Sequence, residues 1–174
     1  LVGVVDADLG LEGGDLRASE RSFQLLHQVA GRAGRAEQPG LVLVQTFHPD
    51  NPVMRALIAD DRDRFLRVEA DERERHGNPP FGRMAALIVS GDSEDAAEFA
   101  SRAYARSSPH LPGVEVFGPA PAPLAILRGR HRRRFLVKAR RGVKIQAVMK
   151  EWLVRVKLPS NVRAQVDIDP YSFL

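Results

Sequence analysis

The chain has 174 residues, enough for one ordinary domain or two small ones. Hydrophobic residues make up 44% and charged residues 28%, the balance of a globular protein rather than a disordered tail. The net charge of +4 conceals an asymmetry: residues 1–80 carry 10 Lys/Arg against 14 Asp/Glu, whereas residues 81–174 carry 16 against 8.

No apolar run approaches the roughly 18–20 residues that span a bilayer, and no secretory signal opens the chain. Cysteine is absent, which excludes disulfides and thiolate metal sites within these residues and makes a reducing, cytoplasmic setting the expectation. His27, His48, His76, His110 and His131 are never paired at metal-ligand spacing, so no metal site is expected here. Between 128 and 163 stand 13 basic residues and one acid, Glu151, a density that attracts polyanions. Acidic and basic halves imply two differently purposed parts rather than a uniformly basic protein.

In chain order, Leu1-Val2-Gly3-Val4-Val5 reads as a buried parallel strand that starts abruptly, as at a fragment boundary. Asp6 and Asp8 end it, and a glycine-rich turn follows. Ser19 is the expected helix N-cap, and Phe23, Leu26 and Ala30, with Leu25 and Val29 beside them, form an apolar stripe that runs out at Gly31 and Gly34. Leu41–Thr46 reads as a second buried strand, which makes strand, helix and strand a βαβ-like unit. Val53–His76 reads as one charged helical stretch with Leu57, Ile58, Phe65, Leu66 and Val68 as its apolar positions, stopped by Gly77-Asn78-Pro79-Pro80.

Beyond it, strands are expected at Ala85–Ser90, Val114–Phe117, Phe135–Ala139 and Val162–Ile168, and helices at Ser93–Arg106 and Val143–Lys157. A proline turn (Pro119, Pro121, Pro123) follows the second strand. That order is βαββαβ, a small split-βαβ sandwich. The expected fold class is therefore α/β at the front, followed by a small α+β domain. The expected divisions are 1–60, a helical linker at 61–80, and 81–174.

The sharpest chemical signal is Gln28-Val29-Ala30-Gly31-Arg32-Ala33-Gly34-Arg35. Five positions fit Gln-x-x-Gly-Arg-x-Gly-Arg, and chance would produce such a match in a chain of this length with a frequency on the order of 10⁻⁴. Two arginines three residues apart at a helix end can point to one side. Guanidinium is planar, permanently charged and able to grip phosphate oxygens in a fork, and glycine lets backbone approach closely. A helix C-terminus with a glycine cap and a dipole-favoured arginine explains one Gly and one Arg, but not the repeat.

This octapeptide resembles motif VI of superfamily 2 helicases. Its flanks resemble one family in particular: Asp15-Leu16-Arg17-Ala18-Ser19-Glu20-Arg21, Val44-Gln45-Thr46, Pro79-Pro80-Phe81 and Gly118-Pro119-Ala120-Pro121-Ala122 are similar to primosomal protein N′, the replication-restart helicases of the PriA type. The similarity runs across nearly all of the chain. It implies the C-terminal portion of an ATP-dependent 3′–5′ DNA helicase that recognises abandoned forks, binds single-stranded DNA-binding protein and starts primosome assembly, in the cytoplasm at the nucleoid. Residues 1–60 would then end a RecA-like helicase lobe.

Carried over by position, Arg32 and Arg35 become nucleotide-sensing arginines, with Arg35 the preferred finger, Gln28 their companion, and Gly31 and Gly34 the motif glycines. An arginine finger is worth about 10³–10⁵ in phosphoryl-transfer rate. Asp6 and Asp8 would lie just past motif V and are given no catalytic role. No phosphate loop and no Asp-Glu-x-His motif occur in the chain, so ATP and Mg²⁺, like the family's cysteine-bound Zn²⁺, are expected on upstream segments, and this piece is expected to be inactive alone.

In the basic half, Arg128, Arg130, Arg132, Arg133, Arg134 and Lys138 are candidate DNA contacts. Strand alternation places Arg132 and Arg134 on one face, with Arg133 and Phe135 on the other. Phe135, Tyr104 and Trp152 are expected in the core. The resemblance also implies a pocket for the acidic tail of single-stranded DNA-binding protein near Arg141, Lys144 and Gln146. The family's arginine there falls on Gly142. The competing readings are a stand-alone basic nucleic-acid-binding module without ATPase activity and the end of an RNA helicase.

Overall fold

The computed structural model describes residues 1–11, 15–33 and 40–170. The chain divides after Glu72 into two compact units, and it is mixed α/β throughout.

In the first unit, β1 (Val2–Val4) and β2 (Val42–Val44) pair in parallel with Val2 opposite Val42 and Val4 opposite Val44. The connection carries α1 (Ala18–Ala33), as a βαβ unit requires. The helix begins one residue before the expected cap. Asp15 holds its start instead: its carboxylate accepts the amide of Arg17 at 3.1 Å, and its carbonyl accepts the amide of Ala18 at 3.0 Å. Ser19 is therefore inside the helix. Gly31 is also helical, because α1 continues through Ala33. Phe23 and Leu26 are buried as the stripe predicts, whereas Leu25 is exposed.

The strands are not buried on both faces. Val4 and Val44 pack on the core, but Leu1, Val5, Leu41 and Leu43 are 57–83% exposed.

The expected single helix after Pro52 is two. α2 (Pro52–Ala59) is capped by Asn51, whose side chain accepts the amide of Val53 at 2.9 Å. It closes at Asp60, which takes a left-handed conformation (φ 50°). Asp61 then caps α3 (Arg62–Arg75) by accepting the amide of Arg64 at 2.8 Å. The break re-phases the apolar positions. Val53, Met54 and Ala56 are buried with Phe65, while Ile58 is exposed and Leu66 and Val68 are partly so. Phe65 stacks on Phe23 with ring centroids 4.5 Å apart, which joins α3 to the core of this unit.

The second unit contains β3 (Gly82–Gly91), α4 (Glu94–Arg106), β4 (Val114–Leu127), β5 (Arg130–Arg140), α5 (Ile145–Val154) and β6 (Val162–Ile168). The sheet is antiparallel in the order β4-β5-β3-β6, the split-βαβ arrangement, with β3 and β5 central. Ser93 caps α4 as expected, accepting the amide of Ala96 at 3.2 Å. Ala85, Leu87 and Val89 from β3, and Phe135 and Val137 from β5, point to one side. They pack there on Ala100 and Tyr104 of α4 and on Ile145, Met149 and Trp152 of α5.

Tyr104, Phe135 and Trp152 are all but fully buried. The indole N–H donates to the carbonyl of Tyr104 at 3.1 Å, so the large aromatic enters the core with its polar atom satisfied. At Gly82 a Cβ would collide with the carbonyl of Gly77, so only glycine fits there.

Two expectations change here. The proline segment after Phe117 is strand rather than turn: β4 continues to Leu127 with irregularities between Phe117 and Ala120 and between Pro121 and Ile126. As an edge strand, it tolerates proline where a central strand would not. β5 likewise begins at Arg130, five residues earlier than its apolar core suggested, because the arginines are part of the ladder.

Candidate functional site

Helical geometry carries the motif in the first unit. Gln28, Gly31 and Arg32 are exposed along the last turns of α1. Among the described residues nothing approaches Gly31, where a Cβ would meet no atom within 4 Å. Gly34 and Arg35 lie outside the described residues. Gln28 also lines a cleft of about 410 Å³ floored by Phe23 and Phe65 and rimmed by Glu20, His27 and Arg62.

A buried carboxylate beside these elements was given no role by the sequence. Asp8, 6% exposed, accepts the Thr46 hydroxyl at 2.6 Å and the Phe47 amide at 2.7 Å. The hydrogen bond from Thr46, then that from Phe47, holds its carboxyl below the ordinary aspartate range, and His48 adds to this, against the opposing effect of burial. Asp8 thereby ties the segments that follow β1 and β2 to each other.

In the second unit both helices cover one side of the sheet, and the even-numbered residues of β5 lie on the other. Arg134 stands opposite Ile88 and Ala120, Arg132 opposite Ser90, and Lys138 opposite Met84 and Glu115. Across Ser90 from Arg132 is Arg163 of β6, so two arginines flank one serine in a row across three strands. Sequence reasoning missed Arg163. The alternation Val162-Arg163-Ala164-Gln165 marks it as outward-facing, but strand order alone brings it beside Arg132.

Arg133 is on the helix side, as alternation predicts. There it pairs with Glu94 at 3.1 Å and Glu98 at 3.0 Å of α4 and is largely buried. Arg133 is thus separated from the other candidate arginines by the thickness of the sheet. Arg130 is tethered: its Nη2 donates to the carbonyls of Ser90 and Asn161, both at 2.8 Å. Lys138 donates to the carbonyl of His76 at 2.8 Å, and Arg132 to that of Leu124 at 3.3 Å. Arg128, at the β4–β5 turn, is exposed and, like Arg163, has no hydrogen-bond or ion-pair partner among the described residues. The open face therefore has a polarity. Arginines gather at the end nearest the β4–β5 turn, while Glu115 and Asp167 stand toward the opposite end.

Arg141 lines a separate cleft of about 400 Å³ with Lys138, Arg140, Glu115 and Phe81. Lys144 and Gln146 are exposed at the start of α5 and do not line it. Gly142 has open space around it, so nothing in the fold excludes an arginine at that position. Among the described residues no group of three or more His, Cys, Asp or Glu side chains comes together to hold a metal, and no helix is long and apolar enough to cross a membrane.

A parallel βαβ unit followed by a split-βαβ sandwich, with arginines gathered at one end of the sheet face opposite α4 and α5, defines a two-part α/β chain. The comparisons with known proteins narrow that class. Residues 74–171 match the family model described as the primosomal protein N C-terminal domain, and the chain belongs to that family. It is 43% identical over 173 residues to the replication restart protein PriA of Rickettsia conorii, covering 99% of this chain and 26% of that protein. The corresponding protein of Synechocystis is 38% identical, with 99% of this chain and 21% of the relative covered. That of Bacillus subtilis is 31% identical over 179 residues, with 100% and 22% covered. The chain thus spans about a quarter of the length of the relatives it matches.

Proposed function

We propose that this chain is the C-terminal quarter of an ATP-dependent 3′–5′ DNA helicase that binds stalled forks and starts primosome assembly, and that its second unit holds the branched DNA. The observation that carries the DNA reading is the gathering of Arg128, Arg130, Arg132, Arg134 and Arg163 at one end of the sheet face opposite α4 and α5. Phosphate contacts from such a corner give affinity without sequence preference, as fork recognition by shape requires. Lys138 extends the set, and Arg133 serves it indirectly by holding α4 against the sheet.

The first unit is the end of a RecA-like lobe. Two parallel strands with Leu1, Val5, Leu41 and Leu43 uncovered are what remains of a wider sheet, because parallel strands are stable when both faces are covered. Gln28 and Arg32, on α1, would serve with Arg35 of the same motif a triphosphate and Mg²⁺ held by upstream segments, which would also carry the zinc-binding cysteines. The protein works in the cytoplasm. Arg141, with Lys144 and Gln146 nearby, receives the acidic tail of single-stranded DNA-binding protein, and other primosome proteins follow.

Two experiments test this. Anisotropy titrations of fork, duplex and single-stranded DNA at several salt concentrations should show salt-sensitive binding that falls roughly tenfold in R132A/R134A at low salt. Unchanged binding would move the DNA face elsewhere. In the complete protein, Arg35→Ala should lower DNA-stimulated ATP hydrolysis at least about tenfold while fork binding survives. Undiminished turnover would remove the arginine finger.

A further inference from the structure

The turn joining β4 to β5 combines features that the cationic face does not require. Leu127 pairs with Arg130 and Ile126 with His131, leaving Arg128 and Gly129 as a two-residue connection. Both connecting residues have positive φ, 51° at Arg128 and 74° at Gly129. A right-twisted hairpin needs that geometry, and Asn, Asp or Gly supplies the first position at least cost. Arginine there is strained, because its Cβ crowds the following carbonyl oxygen. Nothing within the fold offsets it, since Arg128 has no partner among the described residues.

The strands entering this turn are apolar where solvent would favour polar side chains. Leu124, Ile126 and Leu127 are 46%, 61% and 42% exposed. Register puts Leu127 on the open face and Ile126 on the opposite face of the ribbon, so the tip is apolar on both flat sides. Around it stand Arg128, Arg130, His131, Arg132 and Arg163, with Glu94 of α4 the acid that lines a cleft with Ile126 and His131, and the strand acids Glu115 and Asp167 farther along the sheet. β3 ends opposite His131, so the turn projects past the central ladder.

We propose that this hairpin tip is a wedge that enters DNA at the branch point. Ile126 and Leu127 would each meet a base on one side of the blade, and Arg128 would hold a phosphate beside the opened step. An apolar blade inside a ring of arginines suits a ligand with stacked bases inside and phosphates outside, which an apolar protein pocket does not match. The inference deepens the DNA-binding reading and rests on it. Arg132, Arg134 and Arg163 supply affinity, and the tip selects the junction.

The test uses the whole chain and a three-way fork carrying 2-aminopurine either at the branch or ten base pairs away, with anisotropy read on the same samples. Fluorescence should rise on binding only for the branch probe. I126T/L127T, which places strand-favouring β-branched residues at both exposed positions, should abolish the rise and the preference for fork over duplex, roughly fivefold or more in the parent, while duplex affinity changes less than about twofold. Arg128→Asn should raise the melting temperature by relieving the turn and still weaken fork binding.

Fork binding without a branch-specific rise, or a rise that I126T/L127T leaves intact, overturns the wedge and spares the DNA-binding reading. Absence of DNA binding overturns both. A change in the chain's oligomeric state in I126T/L127T, with the branch signal unchanged, would make the tip a protein contact and overturn the wedge as well.

Discussion

In the second unit the residues facing the helices reach zero exposure on both central strands: Ala85, Leu87 and Val89 on β3, Phe135 and Val137 on β5. In the first unit the two strands bury one face and leave Leu1, Val5, Leu41 and Leu43 in solvent. One core is closed by its own elements, whereas the other is a half-sheet whose second face has no cover among the described residues. Stability should therefore reside in residues 73–174, and the first unit should depend on whatever completes its sheet.

Substitutions of graded severity would break or sharpen this comparison. Trp152→Ala empties the centre of the closed core and removes the bond to the Tyr104 carbonyl, and should cost about 3–5 kcal/mol in denaturant unfolding. In contrast, Leu43→Ser, on the uncovered face, should stay within about 0.5 kcal/mol in this chain. Equal costs would mean that the uncovered face is not free.

Acid should affect the first unit next. The carboxyl of Asp8 is held below its ordinary value, so its contribution is present above about pH 4, the unfolded aspartate range, and is lost as pH falls through the lower folded value. Near-neutral thermal melts of Asp8→Asn should show a lower midpoint for the first unit, and the acid-dependent part of its stability should shrink. A midpoint and acid response matching the parent would show that the Thr46–Asp8–Phe47 tie contributes little.

The smallest effect is expected at Arg133. Its two glutamate partners are partly solvated, so Arg133→Ala should cost about 0.5–1 kcal/mol of the second unit's stability. DNA affinity should change far less than in R132A/R134A. A loss comparable to R132A/R134A would return Arg133 to the DNA face.

Much of this architecture is legible in the residues alone. Alternation placed Arg133 opposite Arg132 and Arg134, and Ser93 was readable as a cap because a helix start leaves donors that a serine oxygen can accept. Other local signals were present and overridden. Asp60-Asp61 marks a helix break, yet the charged periodicity around it reads as continuous. The prolines of β4 read as a turn because proline's missing donor is tolerable only on an edge, and edges are defined by neighbours.

By itself, the sequence determined the family, the division into an acidic and a basic part, and the βαββαβ order of the second, since each depends on residue type and short-range period. Only the tertiary structure decided that Arg163 joins Arg132 across Ser90, that Asp8 bridges the ends of two strands, and that Leu124, Ile126 and Leu127 stand uncovered beside arginines. Those facts depend on which strands become neighbours and which surfaces go without cover, and burial is a property of the assembled chain rather than of any segment within it.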